Sequence, residues 1–232
     1  MSVMFSLILS SLKMKILSFV LAILALVCAV TCTEGFALSY FQGDVSSSSF
    51  TCLKNAGYEF AIFQAGRSNS AYNPYAGDDY SRAKSAGIAN SDFYLFPCPE
   101  HGIDKIKTNI SSLKSAGCHA KNMIWLDIEA ADGCWSSSTS TNVSFVQEVV
   151  DYINGEWTGC GLSTGCTGIY ANKNEYTPIL GSSTAFKKLQ LWYPHYSSSA
   201  NFSAFGCWTK FNIWQSAGTT SACSTSIDVD QY

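Results

Sequence analysis

Eight short apolar runs, helix-like stretches between the first of them, and three near-identical helix endings predict an α/β fold. The expected form is an irregular (β/α) TIM-like barrel of eight strands with fewer helices in its C-terminal part. The candidate strands are 36–41, 60–64, 93–96, 123–129, 168–171, 189–193, 211–215 and 227–232. An open doubly wound sheet is the main alternative. It would usually bind its ligand through a glycine-rich first turn, and residues 35–43 have no such pattern.

In chain order, Lys13 and Lys15 precede an uncharged stretch, 16–33, rich in Leu, Val and Ala. It reads as a secretory signal peptide over residues 1–31, with Met14 as an alternative start. A membrane anchor is the competing reading, because the stretch nearly reaches the ~20 residues a spanning helix needs. The small residues Ala29 and Thr31 favour cleavage, so no stable membrane insertion is expected afterwards. Residues 32–232 are then the mature part, long enough for one domain with a substantial core.

Between the first four strands, Leu53-Lys54-Asn55-Ala56-Gly57, Ala83-Lys84-Ser85-Ala86-Gly87 and Leu113-Lys114-Ser115-Ala116-Gly117 each read as a helix stopped by glycine, with lysine near the negative end of the helix dipole. A fourth helix is expected over 142–154, where Val143, Phe145, Val146, Val149, Val150 and Ile153 form an apolar stripe. Helical signals fade after Tyr176, so the last strands are expected to follow one another closely.

Only 13% of residues are charged, the net charge is −3 and no basic run exists, which argues against a nucleic-acid partner. Aromatic residues make up 14% of the chain. They suit either sugar stacking or a large core. Ten cysteines agree with an oxidising compartment. Cys28 would leave with the signal. Cys160 and Cys166 close the shortest loop, and Cys207 and Cys223 are the next plausible pair. Cys-x-x-Cys is absent and His101, His119 and His195 are scattered, so neither a metal nor another cofactor is expected. Asn109, Asn142 and Asn201 head glycosylation sequons, which would suit surface positions.

The chemistry is concentrated in Trp125-Leu126-Asp127-Ile128-Glu129. Strand side chains alternate between faces, so the two carboxylates point the same way with Cα atoms about 6.6 Å apart. Acids so placed at the end of a buried strand repel one another and lose solvent, which favours the protonated form of at least one. In a barrel, sites gather at the carboxyl ends of the strands. There the sequence places Tyr40 and Gln42, Gln64, Tyr94, Asp127 and Glu129, Tyr170 and Asn172, Trp192 and Tyr196, Gln215, and Asp228.

With Ala56-Gly57-Tyr58-Glu59-Phe60-Ala61-Ile62, Phe93-Tyr94, Gly168-Ile169-Tyr170, Leu191-Trp192-Tyr193, Trp214-Gln215 and Ile227-Asp228-Val229-Asp230, that segment makes the chain resemble a glycoside hydrolase family 25 lysozyme, an N,O-diacetylmuramidase. The resemblance implies cleavage of the β-1,4 bond after N-acetylmuramic acid in bacterial peptidoglycan. It implies that Glu129 is the general acid and Asp127 its partner, and that Asp228, Gln64, Tyr94, Tyr170 and Trp192 contact the substrate. A secreted or phagosomal monomer is expected. One departure stands out. The family's first strand usually reads Gly-Ile-Asp-Val-Ser, and its Asp belongs to the catalytic set, whereas this chain has Ala37 there. Asp44 could replace it only if the following loop folded back. The missing carboxylate leaves a substrate-assisted route, or alternatively a protein that binds the wall without turnover.

Overall fold

In the computed structural model, which describes residues 32–119 and 121–232, eight strands close into a barrel in chain order. They are β1 Glu34–Leu38, β2 Phe60–Gly66, β3 Asn90–Leu95, β4 Ile124–Asp127, β5 Thr167–Tyr170, β6 Gln190–Pro194, β7 Ile213–Ala222 and β8 Thr225–Gln231. The signal-peptide reading falls on residues 1–31 and lies outside the described residues. Strands β1 to β7 run parallel, and β8 is antiparallel to both of its neighbours. The reversal has a local cause. Only Cys223 and Ser224 join β7 to β8, both at positive φ (50° and 63°), which makes a tight hairpin. A two-residue connection cannot bring the chain back for a parallel strand.

The crossover helices are α1 Ser47–Asn55, α2 Ala76–Ser85, α3 Ile103–Ser115, α4 Thr139–Glu156 and α5 Lys173–Leu180. The first three end alike. Gly57, Gly87 and Gly117 take φ of 105°, 92° and 75°, and the next residue's N–H reaches back to Leu53, Ala83 and Leu113 carbonyls at 3.2, 2.9 and 3.1 Å. That pattern satisfies carbonyls the helix leaves orphaned.

Three boundary differences and one unexpected helix have identifiable reasons. β1 stops at Leu38 because Ser39 and Gln42 cap each other around a 3₁₀ turn, Tyr40–Gln42. α4 starts at Thr139 because Ser138 is its cap and Asn142 lies inside it. α5 was not anticipated. Its signal is Asn172, whose side chain accepts from the N–H groups of Asn174 and Glu175 at 2.9 and 3.1 Å. β7 runs on to Ala222 because its pairing with β8 continues beyond the barrel rim.

Strand alternation divides the apolar residues into two clusters. Phe36, Phe63, Phe93, Leu126, Ile169 and Leu191 face the helices, while Ala37, Ile62, Trp125, Tyr170, Trp192 and Ile213 face the barrel axis. Trp192 is the hub of the inner cluster, with ring centroids of Tyr170, Tyr94 and Trp125 at 4.5, 5.9 and 6.0 Å. Gly168 makes room for the Trp125 ring. A Cβ there would come within 2.4 Å of the Trp125 ring. By the same parity, Asp127 follows Trp125 into the barrel.

Cys160 pairs with Cys166 as the spacing suggests. Cys207 does not pair with Cys223. The hairpin turns Cys223 onto α1, where it bonds Cys52, and Cys98 joins Cys134. Cys118 and Cys207 remain thiols. Two sequons are not on the surface. Asn109 and Asn142 are fully buried, and the Asn142 amide donates to the Ser136 and Ile179 carbonyls at 2.9 and 3.0 Å. Only Asn201 is exposed, at a φ of 39° that asparagine tolerates. Material from a glycosylating host should therefore carry N-glycan at Asn201 alone. Peptide mapping after glycosidase treatment in heavy-oxygen water reads this directly, and label at Asn109 or Asn142 in folded protein would contradict it.

Candidate active site

At the carboxyl ends of the strands the barrel axis opens into a cavity of about 160 Å³. β1 contributes Ala37, β3 Tyr94, β4 Asp127, β5 Tyr170, β6 Trp192, β7 Gln215 and β8 Asp228, with Glu129 and Tyr196 from the loops after β4 and β6. The volume is on the scale of one sugar ring. A larger recess of about 900 Å³ lies at the opposite end, where Asn90 and Gln190 begin their strands and Met123 precedes β4, but no comparable group of acids gathers there.

Six of the seven site residues expected from sequence line the cavity: Asp127, Glu129, Asp228, Tyr94, Tyr170 and Trp192. Gln64 does not. Its Oε1 accepts from the Tyr40 N–H at 2.8 Å, which fastens the turn after β1 to β2. Ala37 stands on the cavity wall, in register with Asp228 on the neighbouring strand, where the resemblance led one to expect a carboxylate. Asp44 cannot stand in for it. It is exposed and ion-paired with Arg82 of α2, outside the cavity lining.

Asp127 is the last residue of β4 and only 8% exposed, and its Oδ1 has no hydrogen-bond partner. Glu129 lies just past the strand, where Ile128 still bonds the Tyr170 carbonyl and keeps the alternation going. Its backbone is clamped on both sides. Trp135 Nε1 donates to the Glu129 carbonyl at 2.7 Å, and the Ala130 N–H donates to Glu175 Oε2 at 2.9 Å. Asp228 Oδ1 accepts from the Thr219 N–H of the hairpin at 2.7 Å.

Burial dominates the electrostatics. It pushes Asp127 well above the usual carboxylate range, helped by the charges of Glu129 and Glu175. Glu129 is raised by burial, then by Glu175 and Asp228. Asp228 is raised by burial against the opposing Thr219 hydrogen bond. Burial and neighbouring charge therefore favour the protonated form in this pair, most strongly at the deeper Asp127, whose Oδ1 has no donor.

Four further groups belong to the site. Asp230 is fully buried beneath it, raised by burial, and accepts from Trp192 Nε1 at 2.7 Å. Gln215 Oε1 accepts from the Tyr170 and Tyr196 hydroxyls at 2.8 and 3.0 Å, which fixes two walls of the cavity together. Sequence reasoning reached Gln215 and Tyr196 as strand ends but gave Asp230 and Glu175 no role. Parity along β8 could have found Asp230, since Asp228 and Asp230 share a face. The one group of three potential metal ligands among the described residues is Cys98, His101 and Cys134, and its two sulfurs are joined to each other.

These raised acids predict a pH dependence of stability. Asp92 rises to about 6 and Asp79 to about 7, both chiefly through burial. A carboxyl raised in the fold binds a proton that the unfolded chain has already released, so its contribution is complete below the unfolded value near 4 and is lost as pH climbs through the folded one. The melting temperature should therefore be several degrees higher at pH 4.5 than at pH 7.5. Differential scanning calorimetry checks this, and a midpoint rising toward neutrality would contradict it.

A closed barrel with acids at the carboxyl ends of its strands, around an aromatic-walled cavity of sugar size, is an arrangement that suits a glycoside hydrolase. A family model described as "Lys-1: Lysozyme-like protein 1" matches residues 33–216. "Probable GH family 25 lysozyme 2" of Dictyostelium discoideum is 31% identical over 224 residues, covering 94% of this chain and 100% of that protein. "Lysozyme-like protein 5" of Caenorhabditis elegans is 31% identical over 195 residues, 80% of this chain and 86% of the other. The solved family GH25 lysozyme from Aspergillus fumigatus superposes with a TM-score of 0.70 at 21% identity, covering 87% of this chain and 94% of that one. The chain belongs to the glycoside hydrolase family 25 lysozymes.

Proposed function

We propose that the protein hydrolyses the β-1,4 bond between N-acetylmuramic acid and N-acetylglucosamine in bacterial peptidoglycan, with Glu129 as general acid and base and Asp127 orienting the acetamido group of the sugar being cut. The observation that carries this reading is Asp127 Oδ1, a buried acceptor with no partner, lining a sugar-sized cavity with Glu129. An acetamido N–H is a donor that suits it. Its hydrogen bond stabilises the Asp127 carboxylate, and that charge keeps the proton of the pair on Glu129.

The chemistry follows. The acetamido oxygen attacks the anomeric carbon as the bond to the leaving oxygen breaks, and Glu129 gives that oxygen its proton. Glu129 then takes a proton from water, whose oxygen attacks the same carbon and reopens the ring formed by the acetamido group. No protein nucleophile is needed, which suits Ala37 in place of a first-strand acid. Tyr94, Tyr170 and Trp192 flank the sugar, and Asp228 supplies the further negative charge that favours an oxocarbenium-like centre.

Glu175 deepens the assignment. It raises Glu129 by charge and holds the backbone at Ala130. Replacing Glu175 by Gln keeps an acceptor for Ala130 but removes the charge, so Glu129 loses its proton more easily. The alkaline limb of the kcat/KM profile should move to lower pH with the melting temperature little changed; an unmoved limb would leave Glu175 a purely structural role.

A second reading is favoured by Ala37: a wall-binding protein that no longer turns its ligand over. Mass spectrometry of material released from purified peptidoglycan separates the two. Muropeptides ending in reducing N-acetylmuramic acid support hydrolysis, whereas bound but intact glycan supports the binder. The three disulfides among the described residues and the expected preference for acid suit a secreted or phagosomal setting. Among the described residues no helix is long and apolar enough to cross a membrane.

A further inference from the structure

The rim beside β1 and β2, at the same end of the barrel as the acids, carries a cluster that the hydrolysis above does not use. The turn Tyr40–Gln42 is rigid. Ser39 and Gln42 cap each other, with the Ser39 N–H on Gln42 Oε1 at 2.7 Å, and the Tyr40 N–H is fastened to Gln64. This turn holds Phe41 90% exposed, further out than any other large apolar side chain among the described residues. Tyr40 stacks on Tyr75 at 5.8 Å and meets the edge of Phe41 at 6.1 Å. The Arg67 guanidinium, one residue past the end of β2, lies 3.7 Å over the Tyr40 ring.

Of the two arginines, Arg67 is the one outside any ion pair among the described residues. Its fellow arginine, Arg82, is bonded to Asp44 and Asp79, and the ion pairs among the described residues otherwise use Lys54, Lys107 and Lys114. Arg67 takes part in none of them. The cavity meanwhile brings together Asp127, Glu129 and Asp228, with Glu175 close behind, and would repel an anionic polymer. A glycan strand is far longer than a cavity of about 160 Å³ and must lie across the rim. In peptidoglycan that strand carries peptide stems rich in carboxylates.

We propose that Tyr40, Phe41, Arg67 and Tyr75 form a contact site for the peptide stem of the strand being cut, in which Arg67 pairs with a stem carboxylate and Phe41 covers its aliphatic part. The site rests on the muramidase reading and adds to it a preference for stem-bearing glycan. A planar guanidinium already ordered on a ring loses little freedom when it forms a bidentate carboxylate pair.

The test compares soluble glycan chains that keep their stems with the same chains stripped by an amidase. On stem-bearing chains Arg67→Met should raise KM about fivefold with kcat unchanged, the scale of one exposed ion pair of about 1 kcal/mol. Phe41→Ser should act in the same direction, and Arg67→Lys should recover part of the loss. On stripped chains none of the three should differ from wild type. Equal losses on both substrates, or no loss on either, would overturn the site while leaving the muramidase reading intact. If wild type cuts neither substrate, that reading falls by itself, and calorimetry with a stem-bearing fragment then decides the site: weaker binding by Arg67→Met supports it and equal binding overturns it.

Discussion

Replacing Glu129 by Gln should lower the rate of peptidoglycan hydrolysis by about 10²- to 10⁴-fold, the usual contribution of a positioned general acid. The substitution keeps the size of the side chain and disturbs neither the Trp135 bond to the Glu129 carbonyl nor the Glu175 bond to Ala130, since both involve backbone. The fold should therefore survive, with an unchanged melting transition. KM should also change little, because the proton is needed as the bond to the leaving oxygen breaks rather than for binding. Turbidity loss of bacterial cell walls reads the rate. Clearing at the wild-type rate would remove Glu129 from the reaction.

Replacing Asp127 by Ala should cost on the order of 10²- to 10³-fold in kcat, the scale of losing one preorganised polar contact to the reacting group. Here the loss has two parts. The acetamido group is no longer held for attack, and Glu129 loses the neighbouring charge that keeps its proton in place. The alkaline limb of the pH profile should accordingly move toward acid. Stability should rise or hold, because a buried acid with an unpaired oxygen is removed. Kinetics on wall fragments across a pH series, beside a melting curve, check both parts. Unfolding in place of slowed turnover would show that Asp127 serves structure.

The barrel was legible from sequence because its signals are local. Apolar runs of four to seven residues alternate with helices whose Ala-Gly endings recur three times, and strand parity alone turned Asp127 and Glu129 to one side. What the sequence hid depends on distant partners. Gln64 stands on the strand expected to carry it, yet the backbone of Tyr40 captures its side chain, a contact between residues 24 apart. Cys223 finds Cys52 across 171 residues because a tight hairpin aims it there, a route that spacing cannot reveal. α5 is short and contains Pro178, so its apolar pattern is weak and only the Asn172 cap marks it. Glu175 acquires its place near Glu129 through that same missed helix. Asn142 shows the converse: a surface motif can lie in the core when its amide has backbone to bond.

The most direct test of substrate assistance is the rate of hydrolysis of a series of chromogenic muramyl-type glycosides whose acetamido group carries zero, one, two and three fluorines. Fluorine withdraws electrons from the amide oxygen, so an enzyme that uses this oxygen as its nucleophile, oriented by Asp127, should show kcat falling progressively along the series. A kcat insensitive to fluorination would contradict the account and require a different attacking group in the cavity.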